Sequence, residues 1–315
     1  MVLIATIMIV LAFWGLTRST AHTAASIHQH IFHELPPHLV FVHTYASASA
    51  YTNVRANEVA TALSPDYAAL APYRVEVDDL DEVKAKIPFE AYRTHPDPWD
   101  TGYQTVDHFL LAMYSKQRVT EMIQNSGITP TMVVFVRPDM RYLSSVRPLL
   151  EYAAPDAWVI PSFHLYSGFN DRFCIAAPSN YLVYGRVFDL LLGYSRKKSL
   201  HSETFYADWA KVNRIRIVYA PSSFVFQRVR LNGETDTRDL LLHEAVHHKY
   251  NNDTDARHVD LHNGIVRHMP VRHPFAFRIV HGVSPVRKPT GVVLGNVGVV
   301  NVPTFRSNFV RVVPR

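Results

Sequence analysis

Met132-Val133-Val134-Phe135-Val136, running straight into Arg137-Pro138-Asp139, is the stretch that decides the fold. A short continuous apolar run bounded by polar residues predicts a strand buried on both faces, and the polar triplet then falls at its carboxyl end. Working outward, Leu39 to His43 reads as a first strand and Tyr73 to Val77 as a second. Val106, Phe109, Leu110, Met113 and Tyr114 form an i, i+3, i+4, i+7 stripe, which predicts a helix running to Ile123 and stopping near Gly127. Trp158 to Pro161, a turn at Gly168 leading into Phe173, Ile215 to Tyr219 and Phe224 to Leu231 read as further strands. Helices are predicted over Asn57 to Leu63, Tyr181 to Leu192 and Glu203 to Val212, the last with Ser202 as its N-cap. Strands alternating with helices give an α/β class: a mostly parallel sheet flanked by helices, with ligands at the carboxyl ends of the strands.

The 315 residues are 48% hydrophobic and 12% aromatic, enough to bury a sizeable core, which excludes wholesale disorder. A net charge of +5 is unevenly spread: from Arg257 to Arg315 nine Lys or Arg stand against Asp260 alone. A basic end on a neutral body points to an anionic partner such as nucleotide phosphates, an acidic glycan or lipid headgroups, or to a merely solvated basic surface. Cys174 is the only cysteine, so neither an intrachain disulfide nor a cysteine-built zinc site is possible, and its apolar neighbours make it a buried strand thiol. Val2 to Leu16 is uncharged and apolar. As a helix it is short for the ~30 Å hydrocarbon core, and it reads as a signal-peptide core or short signal anchor. The chain is then divided into an anchor (1–19), a polar His-bearing stem (20–37), a catalytic domain (38–233) and a basic C-terminal extension (234–315) with a hairpin-like end at Gly291 to Val300. This arrangement places the protein in the secretory pathway, membrane-bound or lumenal.

Three polar clusters sit at edges of predicted elements: Arg137-Pro138-Asp139, Asn170-Asp171-Arg172 and His201-Ser202-Glu203. An acid at a strand end can hold a divalent cation or a ribose hydroxyl. Taken alone, each cluster also has a structural role open to it, as a loop cap, an ion pair or a helix-dipole partner. The ordered series Val133 to Asp139, Ile160-Pro161, Gly168 to Phe173, Tyr184-Gly185-Arg186, His201-Ser202-Glu203 and Phe226-Gln227-Arg228-Val229-Arg230 resembles a group of glycosyltransferase-like proteins of algae, other eukaryotes and large DNA viruses. The resemblance covers about three-fifths of the chain, Leu39 to Gly233. It implies a GT-A-like fold, a nucleotide-sugar donor and a glycan or glycoprotein acceptor, with no nucleic acid as partner.

Carried over by motif, Asp139 is the donor or metal carboxylate, Asn170, Asp171 and Arg172 line the donor site, Arg186 meets phosphate and Glu203 faces the acceptor. His43 and Thr44, polar at the end of the first strand, fall on the donor side, and Glu203 and Asp171 are the catalytic carboxylates. The usual Asp-x-Asp motif is here Arg137-Pro138-Asp139, with one carboxylate, so that a requirement for Mn²⁺ or Mg²⁺ is open and Arg137 can itself neutralise phosphate. At the start of its helix Glu203 is expected to be ionised, held so by the dipole.

A rival motif is His243-Glu244-Ala245-Val246-His247, which on a helix sets two imidazoles on one face for zinc with Glu244 as base. No Glu follows Glu244, so a third ligand has to come from His258, Asp260, His262 or His268. The alternatives to sugar transfer are thus a zinc-dependent hydrolase and a non-catalytic glycan- or nucleotide-binding protein of the same fold.

Overall fold

The computed structural model of the protein describes residues 8–221, 223–235, 292–294 and 297–300. Its central sheet is built on the apolar run at the start of the chain. Ile9–Trp14 is strand β1, each residue at most 1% exposed. It pairs in parallel with β2 (His38–Ala46) on one side. On the other side lies the strand predicted from Met132–Val136, and β1 pairs with it in parallel as well. The expected anchor is therefore corrected. Six consecutive buried residues between two neighbours saturate their backbone hydrogen bonds within a sheet, and each large apolar side chain so buried contributes roughly 1.5–3 kcal/mol. No helix among the described residues is long and apolar enough to cross a membrane. The expected stem is corrected too: Thr20–Ile27 forms α1, with Thr20, Thr23 and Ile27 buried. The membrane-anchor expectation loses its basis in Ile9–Trp14.

Continuing along the chain, β3 (Tyr51–Asn53) and β4 (Glu58–Ala60) form an antiparallel hairpin where a helix was predicted. The cause is local. The Asn53 side chain accepts from the Ala56 N–H at 3.2 Å, and Asn57 adopts the left-handed conformation that asparagine tolerates (φ 51°), which turns the chain back. Next come β5 (Arg74–Asp79), α2 (Leu80–Lys86), α3 (Gln104–Gln124) and β6 (Met132–Val136). Helix α3 carries the predicted stripe into the core and ends before Gly127, whose φ of +76° suits glycine. The remaining elements are β7 (Met140–Tyr142), β8 (Ala157–Ile160), β9 (Phe173–Ala176), α4 (Tyr181–Gly185), α5 (Phe188–Ser195), α6 (Ser202–Val212), β10 (Arg216–Tyr219) and β11 (Phe226–Arg228). The single helix expected over 181–192 is two, because the chain turns at Gly185, where a Cβ would stand 2.0 Å from Thr120 Oγ1 of α3. Near the C-terminus β12 (Val292–Leu294) and β13 (Val297–Val300) pair antiparallel, in agreement with the expected hairpin.

The seven strands run in the order β10-β8-β9-β6-β1-β2-β5. All neighbours are parallel except β9, which opposes both β6 and β8. This is the mostly parallel α/β class predicted from the sequence. From β1 the chain builds outward to β2 and β5, then returns to add β6 on the other side. The strand order thus reverses at β1, and a crevice opens at the carboxyl ends there.

Candidate active site

A cleft of about 490 Å³ lies at this reversal point. Strands β1 and β6 deliver to it residues at and just past their carboxyl ends: Trp14, Gly15 and Arg18 from β1, and Arg137 and Asp139 from β6. Strand β9 runs the opposite way, so its leading residues, Asp171 and Arg172, reach the same edge. The start of α6 adds His201, Ser202 and Glu203, and β11 with the residues after it adds Arg228 and Arg230. The three polar clusters singled out in the sequence therefore meet in one cleft.

Asp139 is held by guanidinium. Arg137 donates from Nε to Oδ1 at 2.8 Å and from Nη2 to Oδ2 at 2.5 Å, while Arg228 Nε lies 3.8 Å from Oδ2. Burial alone would raise this carboxyl, which is 3% exposed, but the charges of Arg137 and Arg228 outweigh it and hold its pKa far below the usual range. The cost shows on the cationic side: burial, then the neighbouring charges of Arg137 and Arg172, lower Arg228 to about 9. Arg137 also lies over the Trp14 ring, 5.3 Å from its centroid.

Asp171 receives a hydrogen bond from the Ser202 hydroxyl on Oδ2. Its backbone carbonyl accepts from Lys116 Nζ at 3.3 Å and from the Tyr184 hydroxyl at 3.1 Å. Lys116 is wholly buried beneath the cleft floor. Its ammonium lies 4.0, 4.5 and 4.4 Å from the rings of Trp14, Tyr184 and Tyr206, and burial lowers its pKa to about 7. Burial would raise Asp171, but Lys116, Arg172 and Ser202 together keep it ionised.

Glu203 behaves in the opposite way. Burial first, then the nearby charge of Asp171, push its pKa up to about 8, with Arg172 opposing. The expectation of an ionised Glu203 is corrected: a helix dipole contributes about 0.3–1 kcal/mol, less than the desolvation of a carboxylate and its repulsion by Asp171. His201 Nδ1 lies 3.4 Å from Glu203 Oε2, and burial lowers the imidazole, so this is a contact to a neutral ring. The same ring stacks on Trp99 at 5.1 Å.

Backbone geometry fixes Glu203 in place. Phe169 N–H donates to the Glu203 carbonyl at 2.9 Å, and a Cβ on Gly168 would stand 1.9 Å from that oxygen. His164, Tyr166 and Ser167 all have positive φ (52°, 42°, 66°), so the loop leading to Gly168 is held in a strained form beside the cleft.

Four expected donor residues do not line this cleft. His43 lies within the layers, its Nδ1 2.8 Å from Ser115 Oγ and its Nε2 3.2 Å from Asp78 Oδ2. Thr44 accepts from Thr17 N–H at 3.2 Å and secures the loop after β1. Both are buried strand residues, and a strand's side chains point into the layers on either face. Asn170 closes its own turn, accepting from Arg172 N–H at 3.0 Å and donating to Phe163 O at 2.9 Å. Arg186 sits at the end of α4, donating to Gln124 at 3.4 Å, with Glu121 at 3.9 Å.

Sequence reasoning missed Arg18, Lys116 and Trp99, and gave no role to Arg228 and Arg230, which it quoted only within the series that carries the resemblance. One signal was available: Arg228 and Arg230 are two apart on an extended segment and so share a face. Arg18, which pairs with Glu58 at 3.0 Å, was hidden by the anchor reading.

The residues present do not fit the divalent cation left open at Asp139. It is a single carboxylate whose charge is already met by Arg137, which donates to both its oxygens, with Arg228 beside it, whereas Mg²⁺ or Mn²⁺ calls for uncommitted anionic oxygens. Among the described residues no group of three or more His, Cys, Asp or Glu is arranged to hold a metal ion. His243, Glu244 and His247 lie outside the described residues.

No protein-family model matches the sequence, and no curated protein matches it, so the algal and viral resemblance stands without a sequence match. Among solved structures, mouse xyloside xylosyltransferase 1 in its apo form is similar over 69% of this chain and 86% of its own, at 11% identity and a TM-score of 0.38. The galactosyltransferase LgtC, solved with donor and acceptor sugar analogs, is similar over 69% of this chain and 74% of its own, at 11% identity and a TM-score of 0.40. At that identity neither supplies a residue correspondence, and the chemistry of the cleft is read from its own side chains.

Proposed function

We propose that the protein is a glycosyltransferase that moves a sugar from a nucleotide-sugar donor to a glycan or glycoprotein acceptor. The observation that carries this reading is the meeting, in one cleft at the strand-order reversal, of several guanidinium groups with a buried carboxyl whose pKa lies near 8. Sugar transfer needs both. The acceptor oxygen forms a bond to the anomeric carbon as the bond from that carbon to the donor's diphosphate oxygen breaks. The diphosphate leaves with the electron pair, where fixed cations stabilise it, and the acceptor's hydroxyl proton passes to a base.

Glu203 is assigned as that base. A carboxylate with a raised pKa is a stronger base than an ordinary one, and an efficient general base has a pKa near the working pH. Asp171, kept ionised beside it, is one of the two causes of that raised pKa, after burial. Trp99, stacked on His201, walls the cleft on the same side and is assigned to the acceptor.

Incubation with a panel of nucleotide sugars, with release of the nucleoside diphosphate as the readout, tests the reading. Turnover of at least one donor, lost in Glu203→Gln, is expected. No turnover and no binding of any donor, with or without Mn²⁺, overturns it.

A further inference from the structure

The cleft carries more positive charge than its own acids neutralise. Seven Lys or Arg side chains line it against four Asp or Glu, and of the seven Arg18 is paired with Glu58, outside the lining, at 3.0 Å. Of the acids, Asp107 is already paired with Arg93, which lies outside the lining, at 2.8 Å, and Asp139 is enclosed by the Arg137 fork. Asp171 stays ionised, offset by Lys116 beneath it and by Arg172, and Glu203 is largely protonated at neutral pH. The wall formed by the approach to β9 and by β11 presents Arg172, Arg228 and Arg230. Arg137, Arg172 and Arg230 all lie within electrostatic range of Arg228. Partly buried like charges so crowded favour a multiply charged anion between them, and a guanidinium meets phosphate oxygens with paired donors.

Resting on the glycosyltransferase reading, we propose that Arg172, Arg228 and Arg230 bind the donor's diphosphate directly, as a guanidinium clamp that serves in place of a divalent cation. Asp139 is then the anchor of the clamp. Its carboxylate holds Arg137 and draws Arg228 toward the cleft, instead of coordinating metal. The clamp also accounts for the single carboxylate of Arg137-Pro138-Asp139: with its one acid bound to arginine, the segment has none left over for a cation.

Calorimetry with uridine diphosphate, guanosine diphosphate and inorganic pyrophosphate, each in EDTA and in Mn²⁺ or Mg²⁺, tests the clamp on the full chain. At least one probe should bind in EDTA, with an affinity within about twofold of that in metal. Arg228→Gln should weaken it about 10- to 100-fold, as for a lost charge-assisted contact, with Arg228→Lys retaining part of the affinity. Arg230→Gln, beyond the end of β11, gives a second reading should Arg228→Gln fail to fold. Binding that EDTA abolishes and Mn²⁺ restores overturns the clamp, as does unchanged affinity in both glutamine variants or no binding of any probe. Nucleotide-sugar turnover in the same buffers separates the two ideas. Turnover only with metal leaves the transferase reading and removes the clamp. Pyrophosphate bound in EDTA with no nucleotide sugar turned over keeps the clamp and removes the transferase reading.

Discussion

Asp139 and Glu203 are two buried carboxyl groups lining one cleft, and they end in opposite protonation states. Asp139 comes just after β6 and lies inside a two-bond guanidinium fork, so its proton is lost far below the usual range. Glu203 heads α6, where burial and the charge of Asp171 keep its proton on until about pH 8. Burial acts on both in the same direction. The sign of the nearest charge separates them, arginine for one and aspartate for the other. One site thus holds a fixed anion that organises cations and a second acid able to take up a proton near neutral pH.

The largest way to break this contrast is Glu203→Gln. Transfer should fall about 10²–10⁴-fold, the range for a lost general base, while diphosphate affinity, measured by calorimetry, stays near that of the native protein. Equal loss of both would make Glu203 a structural residue.

Asp139→Asn attacks the other half. Removing the anion leaves Arg137 and Arg228 facing each other, and loss of one partner of a buried ion pair costs on the order of 3 kcal/mol. Chemical denaturation should show that loss, together with weaker pyrophosphate binding. Unchanged stability would mean that water already carries these charges.

Gly168→Ala tests how Glu203 is held. A Cβ there would overlap the Glu203 carbonyl, a backbone group that cannot swing aside as a side chain could, so α6 must shift at a cost of about 1–3 kcal/mol. Turnover should fall more than diphosphate affinity, since Glu203 is hydrogen-bonded directly to this loop while Arg228 and Arg230 come from β11 and the residues after it.

The smallest effect, and the sharpest, is in pH. A carboxyl whose folded-state pKa is raised from 4.5 to about 8 stabilises the fold fully below pH 4.5, and that contribution is lost as pH rises through 8. Asp139 contributes the reverse: stability present above 3.8 and lost on acidification. Turnover should therefore climb toward pH 8 as Glu203 ionises, even while its stabilising contribution declines. Glu203→Gln should remove the decline in stability between pH 4.5 and about 8 and leave the acid limb intact.

How far the sequence reached differs by element. Met132–Val136 and the α3 stripe were legible because their apolar patterns admit one reading each. Val2 to Leu16 admitted several, since hydrophobicity measures burial and says nothing of whether lipid or protein covers the segment. The hairpin over 51–60 was missed because the turn made by Asn53 and Asn57 sends Glu58–Ala60, read as part of a helix over Asn57 to Leu63, back along Tyr51–Asn53 as a strand. Arg137, Asp139, Asp171, Arg172 and Glu203 were all legible as polar residues beside predicted elements, and all five line the cleft. His43, Thr44, Asn170 and Arg186 looked alike in sequence and do not line it.

By itself the sequence determined the α/β class, the core roles of Met132–Val136 and the α3 stripe, and the polar clusters at element edges, because periodicity is a local property of a chain. That Ile9–Trp14 is the centre of the core was left to the tertiary structure. Tertiary structure decided which edges meet, that β9 is reversed so that Asp171-Arg172 joins the carboxyl ends of β1 and β6, and which acid keeps its proton. A pKa and a binding site depend on charges brought together from distant parts of the chain, as Asp171 and Ser202 are (a separation of 31), and no local pattern encodes that distance.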